Sequence, residues 1–131
     1  MSNVIQITPF MHVRDFPAAL TFLTDILGFR IQFQLHGYAY LELDGAGLRI
    51  LHSPDAPIGQ RAFAYYLDVQ DVDAVYEGLK AKLDTLPPSD VFGPLDQPYN
   101  QRELLILAPD GDLIVFGSAL DRPGSDTPSS A

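Results

Sequence analysis

Val13-Arg14-Asp15-Phe16-Pro17-Ala18 and, 56 residues further on, Val69-Gln70-Asp71-Val72-Asp73-Ala74 are the two stretches that decide the fold. In each, a valine ends an apolar stretch, an Asp follows two positions later, and an apolar periodic run begins directly after it. An Asp so placed can accept a hydrogen bond from a first-turn amide, which marks a helix start. After Asp15, the residues Ala19, Phe22, Leu23, Ile26 and Leu27 fall on one helical stripe, and Gly28 stands where a left-handed terminator is wanted. After Asp71, the residues Val72, Val75, Tyr76, Leu79 and Leu83 do the same. The shift that superposes the two Asp residues also superposes Ala18 on Ala74, Leu23 on Leu79 and Leu27 on Leu83. The chain therefore reads as a duplication.

Working outward, Val4 to Val13 is a strand rich in β-branched and aromatic residues. Three more strand candidates follow the first helix: Phe29 to Leu35, Tyr38 to Leu43 and Leu48 to His52. They are separated by His36-Gly37 and by Asp44-Gly45-Ala46-Gly47. In the second half, Ala62 to Val69 is a strand, Leu86 to Pro98 reads as a Pro-containing linker, and Glu103 to Leu107 turns through Ala108-Pro109-Asp110-Gly111 into Leu113 to Phe116. The expected class is α+β, with two tandem βαβββ modules over about residues 4–53 and 62–117 of one domain spanning 1–120. Residues 121–131, with two Pro, three Ser and no large apolar side chain, are expected to form a mobile tail.

Composition agrees with a single packed domain: 131 residues, 47% hydrophobic and 19% charged. The absence of cysteine excludes a disulfide framework, a zinc-thiolate site, an iron–sulfur cluster and a cysteine nucleophile. Seventeen acidic against eight Lys and Arg side chains give a net charge of −9, which disfavours nucleic acid and attracts small cations. No signal peptide or membrane span is readable, so the expected partners exclude membranes and the expected location is cytoplasmic.

A four-stranded sheet with one helix layer leaves its other face open, so the two modules are expected to frame a cleft. Alternation assigns Met11 and Val13 to the helix side and Thr8, Phe10 and His12 to the cleft. The repeat assigns Ala64, Tyr66 and Asp68 to the cleft as well, and turns Tyr65 to the helix layer. Phe10, Tyr38, Tyr40, Tyr66 and Tyr99 are candidates for a groove where flat rings stack, with phenol hydroxyls orienting the ligand. Arg102 and Glu103 must point to opposite faces, and Glu103 is placed inward, where with Asp68 it gives a negative mouth. His12 is a candidate ligand contact, His36 sits in a turn, and His52 at a strand end suits a loop hydrogen bond. No Gly-x-Ser-x-Gly elbow, phosphate loop or His-x-x-x-His pair is present.

The stretches TPFMHVRDFPAALTFLTDILGF, YAYLELDGAGLRIL, YYLDVQDVDAVYEGL and QPYNQRELLILAPDGDLIVFG together resemble the vicinal-oxygen-chelate superfamily. Within it they are most similar to the bleomycin-resistance branch of the glyoxalase, bleomycin-resistance and extradiol-dioxygenase group. The resemblance covers about residues 5–117. It implies the paired-module, open half-barrel fold, commonly completed as a homodimer. In enzymes of the group, metal ligands stand on the first and last strands of each module. The matching positions here are Thr8, Ala64, Val115 and, to within one residue, Ile50, none of which offers an imidazole or carboxylate. Gln97-Pro98-Tyr99-Asn100-Gln101-Arg102-Glu103 matches a segment ending in Arg-Glu in bleomycin-resistance relatives, with Tyr99-Asn100 replacing the more usual Trp-Gly. The resemblance thus implies a binding protein without cofactor or metal. It would sequester a partly aromatic compound, with a cationic one favoured by charge, through Phe10, His12, Tyr38, Tyr40, Tyr66, Asp68, Tyr99 and Glu103. The alternative is a lyase, isomerase or dioxygenase of the same superfamily with a displaced metal site drawing on His12, His52, Asp68 and Glu103.

Overall fold

The computed structural model describes residues 2–56 and 63–120. In chain order the elements are β1 (Phe10–Val13), α1 (Phe16–Thr21), a wide helical turn (Phe22–Ile26), β2 (Arg30–Leu35), β3 (Tyr38–Leu43), β4 (Ala46–His52), β5 (Ala64–Asp68), α2 (Val72–Leu83), β6 (Val91–Gln97), β7 (Gln101–Leu107) and β8 (Leu113–Ala119). They form two four-stranded sheets of identical topology, ordered β1-β4-β3-β2 and β5-β8-β7-β6. In each sheet the first strand pairs in parallel with the last, and the other pairs are antiparallel. This is the expected α+β duplication of βαβββ.

The two helix starts are chemically the same. The Asp15 carboxylate accepts from the Ala18 amide at 3.0 Å, and the Asp71 carboxylate from the Ala74 amide at 3.1 Å. Each satisfies one of the orphan donors of a first turn. The first helix then widens, the Leu27 amide reaching back to the Phe22 carbonyl at 3.2 Å, and ends at Gly28 with φ 85°. That left-handed conformation is one glycine adopts without a Cβ penalty.

One hydrophobic core serves both modules. It joins Met11, Val13, Phe22, Leu23 and Leu27 of the first half to Val72, Leu83, Leu104, Ile106, Ile114 and Phe116 of the second. Burying each of these large side chains contributes about 1.5–3 kcal/mol. The halves are also tied at their edges: the Tyr65 hydroxyl donates to the Phe10 carbonyl at 3.2 Å, and the Asp110 carboxylate accepts from the Arg14 amide at 2.6 Å. Tyr65 is half-buried on the core side, and burial first, then the nearby Asp112 charge, raises its phenol to about 12.

Two expectations are corrected. The first strand does not begin at Val4 but at Phe10, because its parallel partner β4 starts only at Ala46, opposite residue 7, and Pro9 brings no amide to the ladder. Val4, Ile5 and Ile7 consequently stand in the open. The supposed linker Leu86 to Pro98 contains a strand: β6 pairs with β7 on both sides of an irregularity between Phe92 and Leu95 that carries Gly93-Pro94. A proline is tolerated there because β6 is the sheet edge. The expected strand residue Ala62 and the expected tail 121–131 lie outside the described residues.

Candidate functional site: two open sheet faces

The face of each sheet turned away from the shared core is a lattice of side chains in register. On the first sheet one row runs Phe10, Arg49, Tyr40, Phe33 and the next His12, Leu51, Tyr38, Leu35. On the second the corresponding rows are Tyr66, Val115, Leu105, Phe92 and Asp68, Gly117, Glu103, Leu95. Strands about 4.8 Å apart make each row about 14 Å long, with about 7 Å between rows. Each face is thus wide enough for two or three fused rings.

All but one of the predicted ligand contacts fall in these rows: Phe10, His12, Tyr38 and Tyr40 on the first sheet, and Tyr66, Asp68 and Glu103 on the second. Tyr99 stands at the β6–β7 turn and reaches over Glu103. On the first face, rings of Phe10 and Tyr38 lie 6.3 Å apart, as do those of Phe33 and Tyr38, and His12 lies 6.2 Å from Phe10. The His12 ring nitrogen Nδ1 is 2.8 Å from the Ser53 hydroxyl. His36 is in an exposed turn, and the His52 backbone amide donates to the Gly37 carbonyl at 2.8 Å.

Glu103 occupies the inward position and is only 2% exposed. The Tyr99 hydroxyl donates to its Oε1 at 2.8 Å and the Gln97 amide at 3.2 Å. The carboxylate is therefore roofed by a phenol, and a ligand meets its charge through Tyr99. Tyr66 donates to Gln101 at 3.1 Å. Its hydroxyl end lies across Gly117, where any Cβ would collide with it. Withdrawal of that hydroxyl from water and the Glu103 charge beside it push the Tyr66 phenol well above its ordinary value. The Glu103 hydrogen bond is the leading cause of the same upward shift in Tyr99. Arg102 points the other way and pairs with Asp73 at 3.1 Å and Asp96 at 2.8 Å. Asn100 has φ 69°, so the residue standing in place of the family's usual Gly is one that tolerates the left-handed turn.

One of the four metal-ligand positions, expected at Ile50 to within one residue, falls at the neighbouring residue. Ile50 is fully buried on the core side, so the last-strand position facing the open side of the first sheet is Arg49, which stands opposite Phe10 as Val115 stands opposite Tyr66. The set becomes Thr8, Arg49, Ala64 and Val115. Thr8 and Arg49 bond to each other, Arg49 Nε donating to Thr8 Oγ1 at 2.8 Å. A guanidinium repels the cation that a carboxylate would hold there. Nor does the displaced set assemble: among the described residues no three His, Asp or Glu side chains come together as a metal site would need.

Arg49 is the residue that sequence reading missed. It also donates to the Tyr38 hydroxyl, and its guanidinium carbon sits 4.7 Å from the centre of the Tyr40 ring. Tyr40 in turn accepts from Gln6 at 3.0 Å and donates to Glu42 at 2.8 Å. Its hydroxyl approaches β4 where Gly47 leaves space; a Cβ there would come within 2.6 Å of it. A groove of 1110 Å³ beside this face runs between β5, α2 and residues 6–9; it takes in Tyr66 and Asp68 but none of the other predicted contacts. No helix among the described residues is long and apolar enough to cross a membrane.

Comparison with known proteins agrees with this geometry. No curated protein matches the chain in sequence. Among solved structures, the bleomycin-binding protein of bleomycin-producing Streptomyces verticillus, complexed with copper(II)-bleomycin, is 22% identical with a TM-score of 0.74, over 93% of this chain and 100% of that one. A glyoxalase/bleomycin resistance protein from Catenulispora acidiphila is 27% identical with a TM-score of 0.68, over 88% of this chain and 99% of that one. A glyoxalase/bleomycin resistance protein/dioxygenase from Nocardioides is 20% identical with a TM-score of 0.72, over 100% of this chain and 92% of that one. The family model for these proteins matches residues 6–116, and the chain belongs to the glyoxalase/bleomycin resistance protein/dioxygenase superfamily.

Proposed function

We propose that this protein binds and sequesters a small, partly aromatic molecule without using a metal, and does so as a homodimer. The observation that carries the reading is the ligand chemistry at the four family positions, Thr8, Arg49, Ala64 and Val115, with Arg49 opposite Phe10 and Val115 opposite Tyr66 and no imidazole or carboxylate among them. Protection by sequestration needs affinity and abundance, and the open faces supply ring-stacking area with a few phenols to orient the guest. The superfamily includes the bleomycin-binding neighbour described above, which supports an antibiotic-resistance-like role. For a bleomycin-type cationic guest, the acidic second face, with Glu103 behind Tyr99 and Asp68 beside it, is the complementary wall. The dimer is motivated by these open faces and by Val4, Ile5 and Ile7, each more than four-fifths exposed in one chain.

The test combines three measurements. Elemental analysis of protein purified without chelator is expected to find no stoichiometric transition metal; one lost on changing His12 or Glu103 would turn the reading to an enzyme with a displaced site. A thermal-shift titration with metal-free bleomycin should stabilise the protein, by about 2.7 kcal/mol at 100 times the dissociation constant. Glu103→Gln should weaken that binding by about 1–3 kcal/mol. Sedimentation as a 14.4 kDa species at micromolar concentration would remove the dimer.

A further inference from the structure

We infer that the open face of the first sheet is an anion-recognition surface, and that its guest is a planar aromatic compound carrying a carboxylate or a similarly flat, delocalised anion. The inference rests on the reading that this face receives a small molecule, and it names the chemistry of that molecule. Arg49 stands in the middle of the row Phe10, Arg49, Tyr40, Phe33, flanked by rings on both neighbouring strands. Its side chain is partly exposed on a face away from the core. Among the described residues it has no carboxylate within ion-pairing distance; the ion pairs found there are Lys80–Asp84, Arg102–Asp73 and Arg102–Asp96.

Two of its N–H groups go to neutral oxygens, those of Thr8 and Tyr38, and Tyr40 packs under the guanidinium plane. These contacts hold the group in place without neutralising it, and the rest of its donor fork bonds to no described residue. A positioned guanidinium with no ion-pair partner, beside tilted and edge-on rings, matches a planar carboxylate, which accepts in a bidentate way while its aromatic body covers Phe10 on one side or reaches toward Phe33 on the other. Both rings are about half exposed, so area is available for that contact. The protein's net charge of −9 opposes the approach of anions over long range, but Glu42, the carboxylate bonded to Tyr40 on this face, makes no ion pair with Arg49, and at ordinary ionic strength distant charges are screened within about 10 Å. A guest that spans both faces would carry its anion here and its cation toward Glu103.

The experiment uses the full chain and three probes that share one ring system: naphthoate, neutral naphthamide and naphthylmethylammonium. The protein has no Trp, so probe fluorescence is read without indole background. Naphthoate is expected to bind the wild type. Arg49→Leu should weaken it about tenfold or more while changing naphthamide by less than about threefold. Arg49→Lys, which keeps the charge and loses the fork, should fall between. Equal naphthoate affinity for the wild type, Arg49→Leu and Arg49→Lys overturns the inference. So does naphthoate bound only by diluted monomer, which would make a second copy the occupant of the face. Binding of naphthylmethylammonium without naphthoate removes the anion and leaves the small-molecule reading standing; binding of none of the three removes both.

Discussion

Phe10, Arg49, Tyr40 and Phe33 stand across one sheet where Tyr66, Val115, Leu105 and Phe92 stand across the other, and in the next row His12 and Tyr38 face Asp68 and Glu103 as their counterparts. The backbone lattice is duplicated in strand order and in the pairing of the first, third and last strands, the edge strands differing in where their irregularity falls, while the chemistry displayed in these rows has diverged: a guanidinium and an imidazole on the first face, two carboxylates on the second. Duplication preserved what packing requires, namely the capping Asp, the apolar stripe and the parallel first-to-last pairing. The outward positions, free of that requirement, display different chemistry. The divergence extends inward at one point, because Leu104 opposite Phe116 corresponds to Ala39 opposite Ile50.

That inner difference gives the largest expected effect. Leu104 and Ala39 are both fully buried. Leu104→Ala should cost about 2–5 kcal/mol through lost burial and a cavity. The reciprocal change, Ala39→Leu, should cost about 1–3 kcal/mol by overpacking. Urea unfolding reads both as midpoint shifts at constant slope. A stabilising Ala39→Leu would show that the first module is underfilled rather than differently filled, and would break the comparison at its core.

The helix caps test whether duplicated chemistry is also duplicated energy. Asp71→Ala and Asp15→Ala should each lose about 0.5–2 kcal/mol. The loss should be larger at Asp71, whose twelve-residue helix buries fully only Val72 and Leu83, than at Asp15, whose six residues bury Phe16 and Ala19 and run on into the buried Phe22 and Leu23. Equal losses would mean that packing does not share the work of holding α1.

Most of the fold was legible because caps, stripes and alternation are local signals. Asp15 and Asp71 sit where spacing put them, and the burial of Met11 and Val13 against the exposure of Phe10 and His12 follows the expected alternation. β6 was hidden by Pro94, which reads as a breaker unless one knows that its strand is an edge. Residues 4–6 looked like a strand because β-branched composition cannot report that no partner strand extends alongside them. Arg49 was missed for a sharper reason: the last strand of the first module was located only to within one residue, and a one-residue slip exchanges the core face for the open face. The signal existed, since Leu48 and Ile50 flank Arg49 in strict alternation with it, and an arginine between two apolar residues of a half-buried strand belongs outside. Neither the burial of Glu103 nor the roof of Tyr99 over it could be read, because both depend on how a turn folds back across its own strand.

The smallest effect bears on the position where the two faces are most nearly alike. Tyr66 is the counterpart of Phe10, differing by one hydroxyl, and Tyr66→Phe makes the second face copy the first. At neutral pH the change removes the bond to Gln101 and should cost about 0.5–1.5 kcal/mol. Above pH 10 the balance shifts. The unfolded phenol ionises near its ordinary value of 10.0, while the folded one, desolvated and beside Glu103, holds its proton to higher pH. Between those values the folded state carries more protons than the unfolded state, so stability falls as pH rises, and it is undiminished below the unfolded value. Tyr66→Phe has no phenol to ionise in either state, so its deficit against wild type should shrink as pH climbs past 10, with the upward-shifted Tyr65 leaving a residual slope in both proteins. Denaturation curves at neutral pH and at two alkaline values measure the difference. A deficit that stays constant with pH would mean the Tyr66 hydroxyl is solvated like that of an ordinary surface tyrosine, and the Glu103 charge would then lie farther from it than the open-face lattice requires.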